Sequence, residues 1–314
     1  MRAMILAAGL GTRLLPLSAL CAKPAMPVRG RPVIAYLLEW LAHHGVEEVM
    51  VNLHHRPESL TRAIERHAPP QIRVLYSVED TPLGTGGGIR RARDFLSTDD
   101  PSIVLAGDML FDADLGALVA RHRASGADCT LVLRDDPRVE QFGTIGLDAA
   151  GRVRRIGRRF DLGGETTAGV FVGLRIFSPT IFDALPDRAV DEAFEDLSDW
   201  LAPALRAGSH GIRGEWLDRA TSQWEPVGTP GEYLRVNLSP PTLSYLSAAH
   251  EVAEGTKVTG ADADVILGAG VSLGRDVDLA RCVVWEGERI PDGTRARGGV
   301  FAGGRFYACE NDAR

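Results

Sequence analysis

Lysine is almost absent from this chain: of its 35 basic residues only Lys23 and Lys257 are lysine, the rest arginine. A compact ammonium on a flexible stem and a planar guanidinium fork are not interchangeable. A lysine that persists on such a background is therefore a candidate for work that needs a point charge. A basic excess is absent as well. The formal net charge is −7 and the isoelectric point about 5.7, which argues against a binder of nucleic-acid backbones while leaving local anion sites open. No apolar run approaches the roughly 20 residues that a bilayer span requires. The apolar start is interrupted by Gly9 and Arg13 before a signal-peptide h-region and cleavage site are complete. The expectation is a cytoplasmic protein with no membrane and no nucleic-acid partner. Paired cysteines are missing too: Cys21, Cys129, Cys282 and Cys309 lie far apart, without a CxxC pair or metal-ligand spacing, and are expected as free thiols.

What is present is a globular composition, 314 residues with 45% hydrophobic and 25% charged, enough for one large or two domains. Apolar runs at 3–8, 48–53, 72–78, 102–106 and 129–134 read as strands. Helical spacing at 33–44, 57–67, 87–95 and 115–125 lies between them. Such alternation predicts an α/β fold with a mainly parallel sheet and helices on both faces. Later strands are expected at 169–176 and 211–217 and a helix at 194–207. Between the first strand and the first helix, Pro16, Pro24, Pro27 and Pro32 predict a long structured loop. The last 65 or so residues change character. Val265, Val271, Val277 and Val283 recur every six residues, as do Leu267, Leu273, Leu279 and Trp285, with Gly268 and Gly274 between. Two columns in phase suggest β-helix turns, although a hairpin sheet also places apolar residues at even spacing. Leu238 to Thr242 reads as the end of a first domain, 1–240, with a second at 250–314.

Four stretches carry chemistry. In Leu6-Ala7-Ala8-Gly9-Leu10-Gly11-Thr12-Arg13, glycines after a strand let backbone N–H groups approach a phosphate, and Arg13 and Lys23 add positive charge. A dinucleotide fingerprint would need glycine where Leu14 stands, and the Gly-Lys-Ser/Thr of a P-loop is absent. Glu79 to Ile89 contains Thr85-Gly86-Gly87-Gly88, either a turn or N–H groups offered to negative charge at a helix start. Ile103 to Asp108 ends an apolar strand in Gly-Asp, which places a carboxylate at the strand edge where open α/β sheets bind ligands. An ordinary loop or N-cap aspartate is the plainer reading. Asp112 and Asp114 read as loop or cap residues. The fourth stretch is Trp224-Glu225-Pro226-Val227-Gly228-Thr229-Pro230.

Taken together, Gly9 to Pro32 resembles the signature of the sugar-1-phosphate nucleotidylyltransferases, which join an NTP to a sugar 1-phosphate and release pyrophosphate. The other stretches follow in that family's order. The resemblance implies a Rossmann-like mixed, mainly parallel sheet, and the hexad tail implies a short C-terminal left-handed β-helix like that of mannose-1-phosphate guanylyltransferases. It implies that Arg13 steadies pyrophosphate, that Lys23 holds the reacting phosphates, and that Asp108 holds Mg²⁺. It places the nucleotide at Leu6, Ala8, Gly9, Gly11 and Thr12, at Glu79, Pro82, Gly84, Thr85 and Gly86, and at Gly107. It places the sugar at Gly143, Thr167, Gly169 and Glu225. The expected substrates are GTP with mannose 1-phosphate or a related manno-sugar. The alternative is UTP with N-acetylmuramate or glucose 1-phosphate, since Thr85 to Ile89 and Asn52-Leu53-His54 look like the uridylyltransferases of that kind and the heptose-phosphate guanylyltransferases. A homo-oligomer through the β-helix is expected.

The sequence departs from the family at Pro226, where a second metal-binding aspartate is usual, so Glu225 or Asp218 is left to supply a carboxylate, or water to complete the shell. That departure keeps open a non-enzyme reading, a regulatory paralogue that binds nucleotide-sugar. Arg158 and Arg159 stand near where the family commonly has Glu-Lys-Pro, either as ligands of an acidic sugar or as a solvated loop. His54 and His55 read as surface residues. With His250 as its only histidine and room for two to three coils, the tail has little space for acyl transfer.

Overall fold

The computed structural model describes residues 1–247, 252–260 and 264–309. Strand β1 (Arg2–Leu6) has its three central residues fully buried, as an interior parallel strand requires. The proline-rich loop after it forms three short 3₁₀ turns, Thr12–Leu14, Leu17–Ala19 and Lys23–Ala25, then a small ribbon of β2 (Pro27–Val28) and β3 (Arg31–Pro32). Next come α1 (Val33–His43), β4 (Glu48–Leu53), α2 (Pro57–His67), β5 (Arg73–Val78), α3 (Gly84–Arg91) and α4 (Arg93–Leu96). After these follow β6 (Ser102–Ala106), β7 (Met109–Asp112), α5 (Leu115–Ser125) and β8 (Cys129–Arg134). Asp114 caps α5, its carboxylate accepting from Ala117 N at 2.8 Å, which supplies a partner to an otherwise orphaned N–H. Asp112 is buried instead of solvated and accepts from the Ser244 backbone N–H and hydroxyl.

A second run holds α6 (Val139–Phe142), β9 (Ile145–Leu147), β10 (Val153–Ile156), β11 (Phe160–Asp161) and β12 (Thr167–Phe177). It is followed by α7 (Ala202–Ala207), β13 (Ile212–Leu217), β14 (Gln223–Pro226) and α8 (Pro230–Leu238). The main sheet runs β11-β10-β9-β12-β6-β1-β4-β5, with β8 joining β12 to β13. Strands β5, β4, β1 and β6 are mutually parallel, and β12 is antiparallel to β6. From β1 the chain moves outward through β4 to β5 and then crosses back to β6 on the other side of β1. The switch point of the sheet therefore lies between the carboxyl ends of β1 and β6, the position at which open α/β sheets form their ligand crevice. One face of the sheet is covered by α1, α2 and α5, the other by α3, α4 and α7.

Two expected helices differ in form. The span 87–95 begins earlier, so that Gly84 to Gly88 lie within α3, and it breaks at Ala92 before α4. The span 194–207 starts as a wide π-type segment, Asp196–Leu201, and becomes regular only in α7. Pro203 has no N–H to donate there, so an α-type bond is missing near that junction.

The C-terminal strands form a separate parallel array of β-helix type. Strands β15 (Lys257–Thr259), β16 (Val265–Leu267), β17 (Ser272–Leu273), β18 (Asp278–Val284), β19 (Arg289–Ile290), β20 (Arg295–Ala302) and β21 (Arg305–Ala308) pair across coils. Val265 pairs with Cys282 and Cys282 with Gly299, so each coil takes 17 residues, one fewer than three hexads. That single-residue slip moves Val283 opposite Ile266, and successive strand residues face opposite sides. Val265 and Leu267 thus face the coil interior with Val284 and Phe301, while Ile266, Val283 and Val300 face the first domain. The coil corners are close: a Cβ on Gly268 would meet Glu286 N at 2.6 Å, and one on Gly274 Asp292 N at 2.5 Å. Antiparallel β15 and β21 close the two ends of the array. His250 lies outside the described residues.

The coils dock on α8 and the long loop through one apolar cluster that joins Leu14, Leu17 and Met26 to Tyr233, Ile266 and Val283. At its centre the fully buried Tyr233 hydroxyl donates to Pro27 O at 2.6 Å and accepts from Trp285 Nε1 at 2.9 Å. Removing that hydroxyl strands a buried indole N–H and weakens the satisfaction of a carbonyl. Tyr233→Phe is therefore expected to lose about 1–3 kcal/mol of stability, read as a lower urea midpoint; an unchanged midpoint would show that water takes over both partners.

Candidate active site

At the switch point the ends of β1 and β6 form the floor of a cleft of about 400 Å³. Its walls come from the long loop, the β5–α3 connection and β12. Of the residues singled out in the sequence, Leu6, Ala8, Gly9, Lys23, Glu79, Pro82, Gly84, Thr85 and Asp108 line this one cleft. Residues from three of the four stretches, far apart in the chain, thus meet in one place, and none of Trp224 to Pro230 joins them.

One side of the cleft is built on Lys23 and Asp108. The 3₁₀ turn with Pro24 at its second position aims Lys23 inward, and its ammonium lies 3.1 Å from Asp108 Oδ2. The Lys23 side chain is only 12% exposed and that of Asp108 33%, so this contact is screened less than a surface pair would be. Gly9 is exposed, with nothing within 4 Å of the place a side chain would occupy. Gly11 adopts the left-handed conformation, and a Cβ there would come 2.8 Å from Ser18 Cβ. Gly107 donates to Leu6 O at 2.9 Å in a gap that admits no side chain. Gly11 and Gly107 lie behind the lining, close to Lys23 and Pro24, while Thr12 is exposed outside it. Arg13 is exposed outside the cleft lining, with its guanidinium beside Gly228, 3.7 Å from where a Cβ would stand. That contact brings the first stretch against the fourth.

The opposite end of the cleft rests on a chain of hydrogen bonds. Ala7 N donates to Asn52 Oδ1 at 2.6 Å, Asn52 Nδ2 donates to Glu79 Oε1 at 2.7 Å, and Leu83 N donates to Glu79 Oε2 at 3.1 Å. Asn52 escaped the sequence reading as a site residue. A lone polar side chain near the carboxyl end of the apolar β4 was the available signal. The glycine run of α3 serves packing. Gly86 N and Gly87 N donate to Phe194 O, so they are not offered to a ligand. A Cβ on Gly86 would strike the Phe194 ring at 2.3 Å, and one on Gly88 would press on Asn52 and Glu79 at 3.0 Å. Thr85 lies within 2.6–2.7 Å of both Asp196 and Glu195 carboxylates. Beside it the buried Arg175 pairs with the buried Asp196, its guanidinium 4.7 Å above the Phe171 ring. Arg175, Gly173 and Glu195 also line the cleft and were not anticipated; an arginine between Leu174 and Ile176 in an apolar strand marks such a buried pair.

The residues expected on the sugar side lie outside this lining. Gly143 follows α6 in an open left-handed position, Thr167 and Gly169 sit on β12 beside β9, and Gly169 is roofed by the Trp216 ring. Pro226 is buried opposite Met109 on β7, and the next N–H, Val227, donates to Asp108 O at 2.8 Å. Strand β14 therefore runs against Asp108 with a ring where a carboxylate was looked for. Glu225 is held by Arg235 at 2.7 Å and Arg138 at 3.4 Å, and Asp218 closes an exposed turn onto Ala220 N. Burial raises the Asp136 carboxyl, but its hydrogen bonds to Arg138 outweigh that and hold it below the usual range. Arg158 and Arg159 are exposed at the rim of an open hollow that meets the cleft at Thr85, Arg175 and Glu195. His54 and His55 are half-buried, not free surface groups, and bond to the carbonyls of Glu79 and Ser18.

Comparison with known proteins agrees with this architecture. The chain is 30% identical to a mannose-1-phosphate guanylyltransferase of Mycobacterium tuberculosis over 93% of its own length and 81% of that protein. It is 25% identical to a UTP–glucose-1-phosphate uridylyltransferase of Synechocystis, over 94% and 85%. The crystal structure of HddC from Yersinia pseudotuberculosis superposes with a TM-score of 0.61 at 24% identity, over 74% of this chain and 96% of that one, and so shares the fold. The nucleotidyl transferase family model matches residues 2–240, and the chain belongs to that family.

Proposed function

We propose that this protein couples a nucleoside triphosphate to a sugar 1-phosphate, with GTP and mannose 1-phosphate or a related manno-sugar as the pair, and releases pyrophosphate. The observation that carries the base is Glu79. Its carboxylate lies in the cleft wall, buried, with one hydrogen bond accepted on each oxygen. An ionised carboxylate only accepts. The Watson–Crick edge of guanine offers two adjacent donors, whereas uracil offers one donor between two acceptors. The relative from Mycobacterium tuberculosis carries the same base and sugar in its name, and the one from Synechocystis keeps UTP with glucose 1-phosphate as the alternative.

In this reading an oxygen of the sugar phosphate attacks the α-phosphorus of the triphosphate in line, a new P–O bond forms, and the bond to the β-phosphate oxygen breaks as pyrophosphate leaves. No residue becomes covalently attached. Lys23 places an ammonium at the reacting phosphates, the Gly9 segment leaves room for them, and Arg13 would contribute its charge to the leaving pyrophosphate. Preorganised charge of this kind is the main source of rate in phosphate chemistry. Asp108 would hold Mg²⁺. One carboxylate fits that ion, which completes its shell with water and phosphate oxygens, and among the described residues no three His, Cys, Asp or Glu side chains converge into a cage. When bound it supplies charge neutralisation on the phosphates. All four cysteines are free, and among the described residues no helix is long and apolar enough to cross a membrane; both support the reading of a cytoplasmic protein. Self-association through the coils would use the outer edges of β15 and β21, because the apolar face of the coils is spent on the first domain.

The test is pyrophosphate release with Mg²⁺ across the four NTPs and several sugar 1-phosphates. One productive pair is expected, with kcat reduced by about 10²–10³-fold in Lys23→Ala and a comparable loss in Asp108→Ala. Binding of nucleotide-sugar without turnover for any pair would make the protein a regulatory paralogue. Glu79→Gln adds a donor at the base edge. The preference for GTP over UTP in kcat/KM is then expected to fall by roughly 10–100-fold, corresponding to about 1–3 kcal/mol for a bidentate base contact. An unchanged ratio would remove Glu79 from base selection. Asn52→Leu leaves Ala7 N–H unpaired and Glu79 short of a partner. A KM for nucleotide raised about tenfold is expected, from about 1–3 kcal/mol per stranded buried group.

A further inference from the structure

Arg134, the last residue of β8, is buried, with 8% of its surface exposed. It lies on the same side of the strand as Val132, two residues earlier, and so points to the face on which Val132 packs with Val170, Leu217 and Trp224. Among the described residues its Nε and Nη1 have no hydrogen-bond partner. A buried guanidinium in that state is costly, and a buried charge is ordinarily paired. Arg175, on the neighbouring strand β12, shows the ordinary case with the buried carboxylate of Asp196.

The carboxylates near Arg134 are taken by other arginines. Asp136 is buried and accepts from Arg138 Nε at 2.7 Å on one oxygen and from Nη2 at 2.8 Å on the other. Glu225 accepts from Arg235 at 2.7 Å and Arg138 at 3.4 Å. Burial lowers the Arg134 guanidinium from its ordinary value; Asp136 and Glu225 pull it back up, while Arg219 and Arg138 oppose them. Four arginines thus surround two carboxylates, a local positive excess in a chain of net charge −7. Such an excess favours an anion, and a guanidinium fork suits a carboxylate or a phosphate. The cluster is open to solvent on one side, where Arg219 is exposed and the Arg138 side chain, 4.9 Å above the Trp224 ring, is 26% exposed.

The cluster lies among the residues expected on the sugar side. Val170 of β12 pairs with Arg134, and a Cβ on Gly169 would come 3.2 Å from Arg134 O. Glu225 stands two residues before Val227, whose N–H is on Asp108 O, roughly 7 Å along an extended chain. One sugar ring with its substituents bridges such a span. We propose that Arg134, with Arg138 beside it, holds a second acidic group, a carboxylate or a phosphate ester, on the sugar 1-phosphate. The acceptor is then an acidic sugar phosphate instead of a neutral one. This inference rests on the coupling reaction given above and narrows its manno-sugar to a derivative with a second negative charge.

The experiment is pyrophosphate release from GTP with three acceptors of one ring, mannose 1-phosphate, mannose 1,6-bisphosphate and mannuronate 1-phosphate, in the native full chain and in Arg134→Met. The native kcat/KM for one acidic acceptor is expected to exceed that for mannose 1-phosphate by about tenfold or more, the worth of charge-assisted hydrogen bonds. Which of the two is preferred tells phosphate from carboxylate. The ratio collapses toward one in Arg134→Met and is partly kept in Arg134→Lys. Methionine fills the buried space without the charge, so the urea midpoint of Arg134→Met is expected to equal or exceed the native one. A lower midpoint shows that the fold itself pairs the guanidinium and overturns the site. No preference for an acidic acceptor, or a preference that persists in Arg134→Met, overturns it as well. Absence of turnover with every acceptor and all four NTPs is a failure of the coupling reaction. Calorimetric titration with mannose 1,6-bisphosphate then decides on the site: binding that is lost in Arg134→Met supports it, and binding that is retained or absent from the native chain overturns it.

Discussion

The cleft depends on the side chain of Asn52. By accepting from Ala7 N and donating to Glu79, it ties the ends of β1 and β5 to each other across β4. Parallel strands end at this edge with unpaired backbone groups, and a buried N–H without a partner is costly. One amide with a donor and an acceptor resolves that deficit and at the same time orients a buried carboxylate. Glu79 in turn fixes the start of α3 through Leu83 N. The loop that lines one wall and the helix that lines the other are therefore positioned by the same small network, and Gly88 is bare because the network leaves no room for a side chain.

That network explains which parts were legible in the sequence. Strand and helix placement followed from periodicity, and β4, β6, β8, α2 and α5 have the anticipated limits because proline, glycine and a capping aspartate mark their ends. The meeting of Lys23, Glu79, Thr85 and Asp108 was legible only as a resemblance, since nothing in local spacing brings residues 85 positions apart into contact. The glycine run of α3 was misleading for a physical reason. Glycine serves close approach as readily as exposed N–H groups, and here the approaching partner, Phe194, lies more than a hundred residues away. The coil repeat shows the same limit: a six-residue column is visible, but a 17-residue coil shifts its register and redistributes the column over two faces.

The arginine-rich composition has a consequence for the site. Arg138 and Arg235 both reach one oxygen of Glu225, and Arg175 reaches one oxygen of Asp196, so these two carboxylates near the cleft are paired with guanidinium groups. Asp108 is different, because its partner is a lysine ammonium on a flexible stem. A point charge can turn from a carboxylate to a phosphate with little geometric penalty, whereas a planar guanidinium has to be reoriented as a whole. Pro226 pairs with Met109, next to Asp108, and has no carboxylate to offer Lys23.

The C-terminal coils complete this arrangement instead of standing apart from it. Leu14, Leu17 and Met26, which flank the turn of Lys23 on either side, are fully buried in the cluster that includes Ile266, Val283 and Val300. A loop of short 3₁₀ turns has few backbone hydrogen bonds of its own, and its shape is set by what its apolar side chains are buried against. Part of that surface belongs to the coils, with the Tyr233 hydroxyl as the joint between Pro27 and Trp285. The position of the single lysine in the cleft is thus decided from two directions, by Asp108 at the tip of its side chain and by the coils beneath its backbone.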